Sequence, residues 1–96
     1  MSSFDPLEGL VGDARAPLRG HVARCGTVSA TREVARPTGR HFEADLATDA
    51  GALTLVFLGR RSIPGIAPGA VLSVGGTLAE RHGRREIWNP RYRIER

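Results

Sequence analysis

Every lysine-or-arginine charge in this 96-residue chain is carried by arginine: there are fourteen, with three histidines and a net charge of +4. Arginine is the residue of choice for gripping phosphate, because its planar fork bonds bidentately and stacks on bases. The arginines gather at three places. Arg32, Arg36 and Arg40 lie in or beside the turn-like stretch Ala35–Arg40. Arg81, Arg84 and Arg85 flank a second turn, together with His82. Arg60 and Arg61 follow the longest apolar run of the chain. Met1–Pro17 carries Asp5, Glu8 and Asp13 against Arg15, a local −2, so the remainder carries +6. Basic excess on the part that folds is the electrostatic footprint of a polyanion binder. Solubility alone also accounts for such a charge, and loops gather charged residues in any protein.

Other chemistries find little support. His21, His41 and His82 lack metal-ligand spacing, and no glycine-rich phosphate loop occurs. Ser62 and Ser73 stand in no nucleophile motif. Cys25 is alone, which excludes an intramolecular disulfide and a cysteine metal cluster; beside Gly26 it is expected as a structural thiol. No pair of carboxylates has a context that would separate their pKa values. The expectation is no catalysis, no metal and no cofactor. Met1–Leu10 is acidic and has no apolar core of a signal peptide, so the expected location is cytoplasmic.

The elements that must position these arginines read as strands. Ala52–Leu58 is too short to span a bilayer and right for one strand. Both of its parities are apolar, as in a central strand or one whose outer face is covered. With Leu53, Leu55 and Phe57 facing in, Val56 and Leu58 face out, and an exposed apolar pair invites a cover: the N-terminal segment, a second copy or a protein partner. His41–Thr48 alternates, with Phe42, Ala44 and Leu46 on one face and His41, Glu43 and Asp45 on the other. The two acids would repel phosphate. Leu18 to about Ala35 is extended, and Gly26 marks a bend or bulge. Ala70–Glu80 is a fourth strand bent at Gly75-Gly76, and Arg85–Glu95 a fifth, confined to an edge or bulged by Pro90. Gly59–Gly69 holds at most one helical turn, around Arg61–Ile63. Asp5-Pro6-Leu7-Glu8 has the form of a helix start, made marginal by Gly9 and Gly12.

One domain follows: residues 1–17 as a helical or flexible segment and 18–96 as an all-β fold that buries roughly 60–70% of its unfolded surface. Five strands with bending glycines in the first and fourth are how a five-stranded Greek-key barrel of the OB type would be written, with an SH3-like barrel as the rival. Of five aromatics, Phe42 and Phe57 share parity with the core, and Trp88 and Tyr92 share parity with Ile94, so all four are expected inside. His41 and His82 remain as lesser stacking groups.

Four pieces carry a resemblance: Leu53–Leu58 with Gly59-Arg60-Arg61, Ile63-Pro64-Gly65-Ile66 closed by Pro68-Gly69, the alternating Leu72, Val74, Gly76 and Leu78, and Ile87-Trp88-Asn89-Pro90-Arg91-Tyr92. Together they resemble short actinobacterial proteins described as OB-fold nucleic-acid-binding domains. The last piece is also similar to the wedge OB domain of the helicase RecG. The resemblance spans about Val22 to Arg96. Arg24 departs from it, and Phe57 stands where tryptophan is commoner. It implies a nucleic-acid ligand and no reaction. The expected function is binding of single-stranded DNA or RNA through Arg32, Arg36, Arg40, His41, Arg60, Arg61, Arg81, His82, Arg84 and Arg85, governed by backbone electrostatics with little sequence preference. The alternative is a protein-interaction module using Val56 and Leu58 or the edges of the fold.

Overall fold

The computed structural model describes residues 20–37 and 39–96. The expected N-terminal helix or tail lies outside the described residues. Six strands are present: β1 (Gly20–Arg36), β2 (Gly39–Thr48), β3 (Gly51–Leu58), β4 (Val71–Arg81), β5 (Arg84–Trp88) and β6 (Arg91–Ile94). They form one sheet in the order β1-β2-β3-β5-β4-β6, and a further β1–β4 pairing closes five of them into a ring. Every pairing is antiparallel except β3 with β5, which run parallel over Thr54–Val56.

The ring closes because β1 serves two neighbours. Its first half pairs with β4 and its second with β2, the two overlapping at Gly26 and Thr27. The register slips between Val28 and Ala30, a bulge that lets one strand turn a corner. Gly26 is required there: a Cβ would collide with the Ala47 carbonyl oxygen. Gly76 has a similar task on β4, where a Cβ would come within 2.6 Å of Ile87 Cγ2.

Alternate residues of the strands fill the interior. Phe42, Ala44 and Leu46 meet Leu53, Leu55 and Phe57 from the next strand, with Leu72, Val74, Leu78 and Ile87 from the other wall. The segment between β3 and β4 adds Ile63 and Ile66 to this core. Gly59–Gly69 contains no helical turn, where the sequence allowed at most one, around Arg61–Ile63. Pro64 disfavours helical backbone at Ile63, and Ile63-Pro64-Gly65-Ile66 instead makes a turn closed by Ile66 N–H donating to Ile63 O at 3.0 Å. Gly65 has φ +88°, the glycine position of a type II turn, and Ala67-Pro68-Gly69-Ala70 repeats the pattern with φ +95° at Gly69.

The fifth strand of the sequence reading is two strands. Asn89 adopts φ +49° and Pro90 follows, so pairing stops after Trp88 and resumes at Arg91 beside a different part of β4. Asn89 also holds the end of β3: its N–H donates to Val56 O at 2.6 Å, and its Oδ1 accepts from Leu58 N–H at 3.0 Å. The break resets the alternation of side chains. Tyr92 packs against the core, edge-on to Phe57 with ring centroids 5.7 Å apart. Trp88, expected inside, is on the surface and 39% exposed. Ile94 is exposed as well.

Candidate nucleic-acid interface

Trp88 lies on the outer face of β5, where its cross-strand neighbour on β3 is Val56. The Arg81 guanidinium carbon sits 4.9 Å from the centre of its ring. This pair depends on the turn between β4 and β5. His82 and Gly83 have φ values of +53° and +75°, the signature of a two-residue type I′ hairpin turn. That turn sets Arg81 directly opposite Arg84. Like charges in that position repel unless each finds a partner. Arg81 takes the Trp88 ring; Arg84 takes Glu86, donating from Nε at 3.0 Å. The same carboxylate accepts from Trp88 Nε1 at 2.8 Å, which fixes the indole. Arg36, Arg81, His82, Arg84, Glu86 and Trp88 line an open depression of about 390 Å³.

Beneath and beside this depression the outer face of the sheet is polar and buried. Glu43 is only 2% exposed. Its Oε2 bonds His41 Nε2 at 2.8 Å, and its Oε1 accepts from Arg32 Nε at 2.9 Å. Arg84 and Arg36 approach it at 3.6 Å. Arg32 also grips Asp45 with two bonds of 2.8 and 3.0 Å, and Thr54 donates to Asp45 at 3.0 Å. No buried side-chain polar atom among the described residues lacks a partner.

The pairing shows in the acidities. Burial pushes Glu43 up, but hydrogen bonds from His41 and Arg32 and the nearby guanidinium charges outweigh it and leave its pKa below the ordinary value. Glu86 follows the same balance, with bonds from Trp88 and Arg84. The Arg32 hydrogen bonds are the largest influence on Asp45 and lower it; Asp45 in turn raises Arg32. Arg84 is raised chiefly by Glu86.

The sequence-predicted residues therefore separate into groups. Arg36, Arg81, His82 and Arg84 converge around Trp88. Arg32 lies within β1, not in the turn, and is held by Glu43 and Asp45. His41 is buried, its ring centroid 6.4 Å from that of Trp88. Arg40 and Arg61 join Glu33 instead, at 2.9 and 3.7 Å. Arg60 is exposed just past β3, and Arg85 reaches the Ala50 carbonyl at 3.3 Å. Glu43 and Asp45 point outward as expected, yet they bind arginine rather than stand open to repel phosphate. Val56 faces outward too, but it is 1% exposed between Glu43 and Trp88 in the register, so the expected exposed pair reduces to Leu58. Cys25 lies within β1 and is exposed.

Sequence parity missed Trp88. The dipeptide Asn89-Pro90 is the signal that would have found it, because Asn-Pro marks a turn after which alternation must be counted afresh. Among the described residues no cluster of three or more His, Cys, Asp or Glu could hold a metal ion, and no helix is long and apolar enough to cross a membrane. Comparison with known proteins finds no match among family models, curated proteins or solved structures.

Proposed function

We propose that the chain is an OB-type barrel that binds single-stranded nucleic acid on its outer β2–β3–β5 face, with Trp88 as the base-stacking platform. The observation that carries this reading is the exposed Trp88 ring, overlaid by Arg81 and bordered by Arg36, His82 and Arg84. The ring order, the parallel β3–β5 contact and the placement of the patch beside strands two and three support the OB assignment and its usual ligand path. The resemblance of the Leu53–Tyr92 region points the same way.

The chemistry favours unpaired bases. A base stacked on an aromatic contributes about 1–3 kcal/mol and has to leave a duplex to do so. Arg36 and Arg81 border the platform and can take the flanking phosphates. The proposal is binding without catalysis. A protein-interaction role has weaker support, since Val56 is buried.

Fluorescence anisotropy of labelled single-stranded DNA, single-stranded RNA and duplex DNA, each at low and near-physiological salt, tests the reading. Saturable binding that favours single strands is the expected result. Absence of binding to all three at low salt would overturn it.

A further inference from the structure

Four guanidiniums, those of Arg32, Arg36, Arg81 and Arg84, share the proposed ligand face with three carboxylates, those of Glu43, Asp45 and Glu86. Such a face is close to neutral, although it is rich in arginine. Glu86 is the carboxylate that lines the depression itself. It is 4% exposed and takes Arg84 and the Trp88 indole N–H together. We propose that Glu86 is a specificity-determining residue: as a built-in counter-anion it withholds Arg84 from phosphate, so that the face selects single strands over duplex and other polyanions. This rests on the nucleic-acid reading above.

The argument is one of competition. A phosphate arriving at Arg84 must displace or share a carboxylate already bonded to it, with Glu43 3.6 Å from the same guanidinium. A duplex offers this face mainly phosphates and gains little there. A single strand offers bases, which need Trp88 and not Arg84. Phosphate contact is left to Arg36, whose own approach to Glu43 is a loose 3.6 Å, and to Arg81, which holds an aromatic ring rather than an acid.

The substitution Glu86→Gln tests this, because the amide keeps an acceptor for Trp88 Nε1 and removes the charge. Glu80→Gln is the control: Glu80 is exposed on β4 and makes the same change in net charge. Duplex DNA and heparin are the probes, read by anisotropy and by competition. E86Q should raise duplex affinity at least about fivefold and steepen the dependence of log K on log salt by about one phosphate, roughly 0.9. E80Q should change both far less. Equal effects from E86Q and E80Q would overturn the proposal, since net charge alone would then explain the gain.

A measurement on the unaltered protein covers a failure of E86Q to fold. If only Arg36 and Arg81 reach phosphate, the salt slope for a short single strand should be about −1.4; a slope near −3 or steeper means four or more contacts and overturns the role of Glu86. Wild-type binding to duplex as tight as to single strands overturns that role and the single-strand preference with it, while nucleic-acid binding by this face still stands. Wild-type protein that binds no nucleic acid overturns the parent reading instead.

Discussion

Phe42, Ala44 and Leu46 face one side of β2, and His41, Glu43 and Asp45 face the other; five of these six are buried, including His41 and Glu43 on the outer side. The two sides are held by different physics. Inside the ring the contacts are apolar and non-directional, roughly proportional to the area removed from water. Outside, charges removed from water are compensated only by particular partners at particular distances. The inner side tolerates shape changes of similar volume, whereas the outer side depends on each partner being present. The contrast shows how one small sheet presents an apolar core wall on one side and a paired polar face, the proposed ligand platform, on the other.

Acidification should separate the two sides most strongly, because it acts on Glu43, Asp45 and Glu86 together. Their folded pKa values lie below the ordinary 4.5 and 3.8. A lowered carboxylate contributes stability that is complete above its unfolded value and is lost as pH falls through the folded one. Thermal melts should therefore be nearly flat from neutral pH to about pH 5 and drop steeply below about pH 4. A melting temperature unchanged down to about pH 2 would mean the outer pairs contribute nothing to stability.

Glu43→Ala comes next. It takes the shared carboxylate from His41, Arg36, Arg32 and Arg84, of which Arg32 keeps Asp45 and Arg84 keeps Glu86; breaking a buried pair from one side costs at most about 3–5 kcal/mol. Leu55→Ala is the matched change on the inner side, where a fully buried leucine leaves a cavity worth about 2–5 kcal/mol. Urea denaturation of both variants makes the comparison, and the sharper test is pH. The cost of Glu43→Ala should shrink in acid as the wild-type carboxylate is itself protonated. The cost of Leu55→Ala should not change.

Trp88→Ala should have the smallest effect on stability, about 1–2 kcal/mol because Glu86 loses its indole partner but keeps Arg84, while removing about 1–3 kcal/mol of single-strand binding. A variant that unfolds, or one that binds like wild type, would place Trp88 in the core or outside the ligand path respectively.

The inner side was legible in the sequence because its signal is local. Alternation in His41–Thr48 and Ala52–Leu58 identifies β2 and β3, and Gly26 marks the close approach to Ala47 where β1 passes between its two partners, with the bulge itself following at Val28/Ala30. The Arg81–Arg84 turn and the Phe42 and Phe57 positions follow from the same rules. The outer side was not legible, because its partners are distant in sequence. Arg32 finds Glu43 and Asp45 only through the β1–β2 register, which slips at Val28/Ala30, and a one-residue slip exchanges the faces of a strand. The arginines could be counted, but not those already committed to internal acids. Trp88 was lost for a related reason: the left-handed Asn89 interrupts the period on which its assignment depended.

Trp88 is the only tryptophan in the chain, so its emission reports on the proposed platform without any label. Titration with an unlabelled single-stranded oligonucleotide should quench that emission saturably, over the same concentrations at which a labelled strand gains anisotropy. Anisotropy that rises while Trp88 emission stays constant would place the ligand elsewhere on the molecule and contradict the account.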